Sequence, residues 1–175
     1  MWRDEQVKLQ GEITINGKGY RAGEIVPWKM IYPFFMVHML VFGGTGFFMA
    51  YGMDDIDVAF LYMHGGIAIV VYMVFYTVFF GRDAVQWMLI NAALGVFGIY
   101  AELNWALSFF GKSLDSYPVY VHVVPFLYYV LYTFLLRQAV LHLAGARENE
   151  SRRRWINGAY VLISVAVYAS IYKFA

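Results

Sequence analysis

Three ionisable side chains lie within long apolar stretches of the sequence: His64, Glu102 and His122. Counting 1.5 Å per residue from the predicted helix ends places them ~10, ~12 and ~8 Å below the same membrane surface. Ionisable residues are costly in lipid, and where they occur they mark functional sites. We therefore expect these residues to share one depth and to line a polar site toward one face of a membrane.

Four interpretations of this site are open. The first is interhelical hydrogen bonding. The second is a b-type heme with His64 and His122 as axial ligands and Glu102 as a polar neighbour, or a pigment or quinone bound by the same histidines. The third is a divalent metal or proton-transfer site formed by all three residues. In the fourth, the side chains reach the membrane interface separately.

Local sequence predicts a cavity around this site. Gly65-Gly66 directly follows the first histidine, and small residues allow helices or ligands to approach closely. Pro125 lies within a predicted span, where it removes a backbone donor and leaves the Val121 carbonyl without its helical partner. We expect a kink there, because prolines inside helices commonly cause one.

The two remaining histidines do not form a second heme site. His142 lies at the inner end of its span, whereas His38 lies ~12 Å inside the membrane. His122 and His142 would also be about 30 Å apart along one helix. We expect His38 to hydrogen-bond a neighbouring helix, and Gly43-Gly44-Thr45-Gly46 to form a close-packing face.

Composition predicts an integral membrane protein. Of the 175 residues, 61% are hydrophobic and 14% are charged, against about 25% charged in typical soluble domains. Five apolar stretches are long enough to cross a hydrocarbon core of ~30 Å as helices. The predicted fold is all-α, a bundle of five transmembrane helices in one domain, 28–175, after an N-terminal segment, 1–27. The predicted spans are 28–51, 57–80, 84–110, 117–142 and 155–174.

The distribution of charge predicts the topology. Of the 13 Lys and Arg residues, only Lys112 and Lys173 fall on the side opposite the N-terminus. By the positive-inside rule the N-terminus is cytoplasmic and the C-terminus is outside. The chain has no cysteine, which fits a cell membrane and specifically a bacterial inner membrane. The basic run Arg152–Arg154 is either a topology anchor or a patch for anionic lipid head groups.

A β-hairpin is predicted in the N-terminal segment. Asn16-Gly17 favours a type I′ turn, because both residues accept positive φ. With that turn at the tip, Ile13 faces Tyr20 and Glu12 faces Arg21, and both pairings are favourable across a ladder. An isolated hairpin is marginally stable. We expect it to pack on the protein's own cytoplasmic loops or on a partner subunit.

No hydrolase, zinc-protease or nucleotide-binding pattern occurs in the sequence, and no catalytic or metal-binding residue is assigned. The leading hypothesis is a non-enzymatic accessory or structural subunit of a larger membrane complex. Its partners would be the lipid bilayer and other membrane subunits or second copies, with no nucleic acid. One alternative is a heme b, pigment or quinone redox subunit using His64 and His122. Another is a proton- or metal-handling protein centred on Glu102.

Overall fold

The computed structural model describes residues 6–15 and 17–174. Within these residues the protein is mostly helical, with five helices of at least 20 residues. Two small two-stranded sheets lie near the N-terminus. The chain divides into two compact units, Met1–Leu89 and Ile90–Ala175. The predicted division into segments 1–27 and 28–175 stays a prediction.

The first unit contains two long helices, α1 (Tyr32–Tyr51) and α2 (Val58–Phe80), which pack against each other. α1 begins later than the predicted span because Trp28–Met30 forms a separate turn of 3₁₀ helix. α2 begins where a cap is available: the Asp57 carboxylate accepts a hydrogen bond of 2.9 Å from the Phe60 N–H. An acidic N-cap satisfies one of the backbone donors that the first helical turn leaves unpaired.

Aromatic rings fill the interface between α1 and α2. Phe35 on α1 is buried and lies with its ring centroid 5.4–6.0 Å from four rings of α2. These edge-to-face contacts are favourable beyond the apolar area that they bury. The four rings belong to Tyr72, Phe75, Tyr76 and Phe79.

Four short strands precede these helices, β1 (Gln6–Lys8), β2 (Ile13–Ile15), β3 (Lys18–Tyr20) and β4 (Ile25–Pro27). β2 and β3 pair antiparallel with the predicted register, in which the first residue of β2 faces the last residue of β3. Gly17 has the positive φ, 77°, that the predicted turn requires, whereas Asn16 lies outside the described residues. β1 and β4 add a second antiparallel ladder around the hairpin, which was not predicted.

The β segment is attached to the end of α2. The backbone N–H groups of Gln10 and Gly11 both donate to the Val78 carbonyl, at 2.8 and 3.1 Å. Val78 is one of the last four residues of α2, and carbonyls at these positions have no N–H partner within the helix. The Val78 carbonyl is therefore available to the β segment. The hairpin region therefore packs on the chain itself, at a helix end rather than on a loop.

The second unit is built from three long helices. The chain leaves α2 through the short α3 (Arg82–Val85) and enters α4 (Trp87–Ser108). A 3₁₀ turn, Val119–His122, leads directly into α5 (Val123–Leu143), and α6 (Glu150–Phe174) follows.

Pro125 lies in the first turn of α5, which begins at Val123, rather than in the interior of the α-helix. Backbone N–H groups in the first turn have no intrahelical acceptor, so a proline there removes no α-helical hydrogen bond. The sequence placed this proline deeper because the apolar stretch begins before the α-helix does. The predicted kink stays a prediction.

α6 begins at Glu150, five residues before the predicted span. The Asn149 side chain accepts a hydrogen bond of 3.0 Å from the Arg152 N–H, which caps the helix. The predicted span begins where the sequence becomes apolar, whereas the helix begins at its capping residue.

In the part of the chain that the structure describes, four stretches are long and apolar enough to cross a membrane: α1, α2, residues Val119–Leu143 with α5, and most of α6. α4 is not among them, because Asn91, Glu102 and Asn104 interrupt its apolar sequence. Large apolar side chains are exposed on these helices, and the apolar stretch of α6 is almost entirely exposed. Such surfaces are unusual on soluble monomers, so the four apolar helices suggest a membrane protein.

Candidate functional site

The three predicted site residues are divided between the two units. His64 lies on α2 in the first unit, whereas Glu102 and His122 lie in the second. The predicted cluster of all three, and the use of the two histidines as paired axial ligands, therefore stay predictions.

His64 lies among aromatic rings. Its imidazole centroid is 5.5 Å from the ring of Phe42 on α1 and 6.2 Å from the ring of Phe60 on α2. Its Nε2 atom is buried, with no hydrogen-bond partner among the described residues. A Cβ added at Gly66 would meet nothing within 4 Å, so no neighbouring helix packs closely on this glycine, and the predicted cavity stays a prediction.

His122 lies at the edge of α5 rather than inside it. It ends the 3₁₀ turn and directly precedes the first residue of the α-helix. Its ring hydrogen-bonds the backbone of Tyr117 and lies 6.5 Å from the ring of that tyrosine. The apolar span predicted from residue 117 begins at Val119 in the structure and contains His122, but this histidine lies in its opening 3₁₀ turn rather than in the α-helix.

The predicted partner of His38 is wrong. The His38 Nδ1–H donates a hydrogen bond of 2.8 Å to the Phe34 carbonyl, which belongs to the same helix rather than to a neighbour. In the predicted close-packing stretch, a Cβ added at Gly44 would meet nothing within 4 Å, whereas Gly46 is buried.

Glu102 is the predicted site residue with the clearest side-chain partners. It is half-buried on α4, and its carboxylate accepts a hydrogen bond from the Tyr129 hydroxyl on α5. That hydroxyl is also hydrogen-bonded to the hydroxyl of Tyr168 on α6. A carboxyl group and two phenols thus connect all three long helices of the second unit.

These contacts belong to a longer row of polar and small residues, which we call the polar seam. Residues three or four positions apart lie on one face of a helix, and each of the three helices has such a stripe. The seam consists of Asn91, Gly95, Gly98 and Glu102 on α4, Tyr129, Thr133 and Arg137 on α5, and Asn157, Tyr160, Ser164 and Tyr168 on α6.

Two glycines bring α4 close to the other helices. A Cβ added at Gly95 would lie 3.2 Å from the rings of Phe126 and Tyr129, and one added at Gly98 would overlap the Tyr168 ring. Close approach at these positions allows the tyrosine hydroxyls to meet near Glu102.

The middle of the seam continues with hydroxyl groups. The Tyr160 hydroxyl hydrogen-bonds the side chains of Thr133 and Ser164. The Thr133 hydroxyl also lies 2.9 Å from the carbonyl of Tyr129, one turn earlier on α5. Hydroxyls can donate and accept at once, so this group extends the polar character of the seam away from the carboxyl group.

At the far end of the seam lies Arg137, which the sequence analysis counted only as a charge at the inner end of a span. Its side chain is 3% exposed. Its Nε and Nη2 atoms donate to the Asn157 side-chain oxygen at 3.1 and 2.7 Å. The sequence signal for this role was its spacing of four and eight residues from Thr133 and Tyr129.

The connector between α4 and α5 is tied to α4 on either side of Glu102. The Tyr100 hydroxyl donates to the Asp115 carboxylate at 2.9 Å. The Asn104 side-chain oxygen accepts from the Leu114 N–H at 3.2 Å. These two contacts fix the connector near the end of the seam that carries the carboxyl group.

The chemistry available at this end is proton exchange between a carboxyl group and phenol hydroxyls. No group of three or more His, Asp or Glu residues that could hold a metal ion occurs in residues 6–15 and 17–174. Comparison of the chain with protein-family models, curated proteins and solved structures gave no match. Functional inference therefore depends on the residues and contacts described above.

We expect Gly98→Ala to destabilise the second unit by about 1–3 kcal/mol, because the added methyl group would overlap the Tyr168 ring in a packed interface. The measurement is thermal unfolding of the purified protein in detergent.

The matched control is Gly44→Ala, the same change at a helical glycine that borders open space. It should leave stability unchanged or raise it by up to ~1 kcal/mol, since alanine favours the helix. Equal shifts for both variants would contradict the close contact at Gly98.

Proposed function

We propose that the protein is an integral membrane protein with five crossings whose second unit contains a proton-accepting site centred on Glu102. Four apolar helices support the membrane location. The hydrogen-bonded series from Glu102 through Tyr129 to Tyr168 carries the proposed chemistry.

α4 is proposed as the fifth crossing. Its 22 residues correspond to about 33 Å of helix, which is enough for a hydrocarbon core of ~30 Å. Asn91 and Glu102 lie on the face of α4 that forms part of the polar seam, so their side chains would point away from lipid. Intramembrane polar residues characteristically face the interior of a bundle.

Glu102 suits proton exchange because both states of its carboxyl group can exist in a membrane interior. The protonated form carries no charge, and the charged form is stabilised by hydrogen bonds. Tyr129 supplies a donor to the charged form. After protonation, the same hydroxyl can accept from the carboxyl group and donate to Tyr168, since a phenol serves in both roles. The three groups therefore accommodate both states of the carboxyl group.

A second candidate is the accessory subunit of a larger membrane complex. The observation that favours it is the β segment, which is fixed to α2 through the Val78 carbonyl while Thr14 and residues 17–19 of its hairpin are exposed. A fixed and exposed hairpin would be a suitable contact surface for another subunit. This candidate and the proton-accepting site are compatible in one protein.

The absence of cysteine allows a direct test of the fifth crossing. Arg82→Cys and Lys112→Cys place single thiols just before and after α4, for labelling in intact cells with a membrane-impermeant maleimide. We expect labelling at residue 112 and protection at residue 82, because the two positions would lie on opposite sides.

Asp54→Cys, in the connector between α1 and α2, is the control for an outside position and should be labelled. Lysed cells should give labelling at all three positions. Equal accessibility of residues 82 and 112 in intact cells would exclude the crossing by α4.

We expect Glu102→Gln to abolish protein-dependent proton entry into liposomes, since the amide keeps the size of the side chain but cannot exchange a proton. The measurement is acidification of an internal pH-sensitive dye after an external acid pulse, compared with protein-free liposomes. Tyr129→Phe should slow entry, because the carboxyl group loses its donor.

Glu148→Gln is the matched control, since it makes the same change at an exposed carboxylate of the same unit, and its rate should equal that of the wild type. A Glu102→Gln rate equal to the wild-type rate, in folded protein, would remove the proposed role of this residue.

For the accessory role, we expect the wild type to purify in mild detergent with a stoichiometric membrane partner. Replacing residues 12–21 by a Gly-Ser linker of equal length should remove that partner while the chain remains in the membrane. Intact-complex mass spectrometry measures both. A monodisperse wild-type monomer would contradict this role.

A further inference from the structure

Buried polar side chains are concentrated at one end of the second unit. Among the described residues, the buried polar or charged side chains are Asn91, Arg137, Gln138, His142 and Asn157. All belong to the second unit, and four of them lie in the later half of α5 or the first part of α6. This is the end opposite Glu102.

Helix arithmetic places Asn91 and Arg137 toward the same end of the unit. Gly98 contacts the ring of Tyr168, whose hydroxyl meets that of Tyr129. Asn91 precedes Gly98 by seven residues, ~10.5 Å of helix, and Arg137 follows Tyr129 by eight residues, ~12 Å. The connector tied to the end of α4 turns the chain back, so both distances run toward the same end.

Asn91 also faces the same interior. It is spaced four and seven residues from Gly95 and Gly98, the two positions at which α4 closely approaches α5 and α6. Its side chain is 2% exposed, and neither its amide nitrogen nor its amide oxygen has a hydrogen-bond partner among the described residues. Buried amides are nearly always satisfied, so this group points to a polar occupant.

The donors at this level suit an anionic oxygen group. The guanidinium of Arg137 is always charged, and its planar arrangement of N–H groups matches the oxygens of carboxylate or phosphate. Asn157 fixes its orientation by accepting from Nε and Nη2. The amide nitrogen of Asn91 adds a neutral donor on the facing helix.

The surface beside this end is basic. Arg152, Arg153 and Arg154 are exposed in the first turn and a half of α6, and Arg152 also donates to the Ala144 carbonyl of the connector. Residues 147–154 carry four arginines against two glutamates, Glu148 and Glu150, so the net charge of this segment is positive. A positively charged surface raises the local concentration of anions. Anions would therefore be attracted to the end at which Arg137 lies.

We propose that Asn91, Arg137 and Asn157 form a binding site for an anionic oxygen group, a phosphate or a carboxylate, that enters from the α5–α6 connector. Two sources share this chemistry: the head group of an anionic phospholipid and a free small anion. The site is separate from Glu102 and does not depend on proton exchange there.

The test is thermal stabilisation of the purified full chain as a function of added probe. The probes are phosphatidylglycerol in mixed micelles, inorganic phosphate and succinate, with phosphatidylcholine as the uncharged reference. We expect at least one anionic probe to raise the unfolding temperature in a saturable way. Stabilisation by phosphatidylglycerol alone assigns a lipid head group, and stabilisation by phosphate or succinate assigns a free anion.

Arg137→Gln and Asn91→Ala should each weaken the apparent affinity for the active probe, by about tenfold or more for the arginine, because hydrogen bonds to charged groups are the stronger ones. If Arg137→Gln does not fold, the affinity of Asn91→Ala for the active probe tests the proposal, since this variant removes only a neutral amide.

Arg154→Gln is the matched control, because Arg154 is exposed and pairs with Glu150 at 3.6 Å. It should change the apparent affinity by less than the variants at the buried positions. The proposal is overturned if no anionic probe stabilises the wild type, if Asn91→Ala leaves the affinity unchanged, or if Arg154→Gln weakens it as much as Arg137→Gln.

Discussion

The hydrogen bonds of Tyr129 connect the three helices of the second unit. Its hydroxyl meets Glu102 on α4 and Tyr168 on α6, and its ring lies where Gly95 allows close approach. In an apolar environment a polar group must find its partner within the protein. The position of each helix is therefore coupled to the other two, and removing one member would leave the others unsatisfied.

The polar seam has different chemistry at its two ends. Glu102 at one end is surrounded by phenol hydroxyls, and Arg137 at the other is oriented by the Asn157 amide. Thr133, Tyr160 and Ser164 lie between them. The chemistry proposed for the two ends differs accordingly: proton exchange at the carboxyl group and anion binding at the guanidinium.

The sequence predicts the existence and type of the long helices because their apolar runs are long, even in α4, where polar residues interrupt the run. It also predicts the pairing of Ile13 with Tyr20, because turn chemistry sets hairpin register. Helix starts were less predictable. Asn149 caps α6 before its apolar run begins, and the apolar turn before α5 looks like helix in sequence. A capping residue and an apolar run are separate signals of a helix end, and the predicted spans follow the apolar runs alone.

The candidate site was predictable only in part, because sequence alone does not show which helix faces meet. Glu102 stands out as an acid in an apolar stretch, and the structure gives it partners. Arg137 was treated as a topology charge, although its spacing from Tyr129 places it on the same face. Gly44 and Gly98 look alike in sequence, yet only Gly98 meets a ring of another helix.

The attachment of the β segment to Val78 has a consequence for the order of events during biosynthesis. Gln10 and Gly11 leave the ribosome long before the carbonyl that both of them bind. The N-terminal strands therefore cannot reach their final position until α2 has been made and its end exposed. Gln10 and Gly11 are thus synthesised early and are among the last residues of their unit to reach their final position.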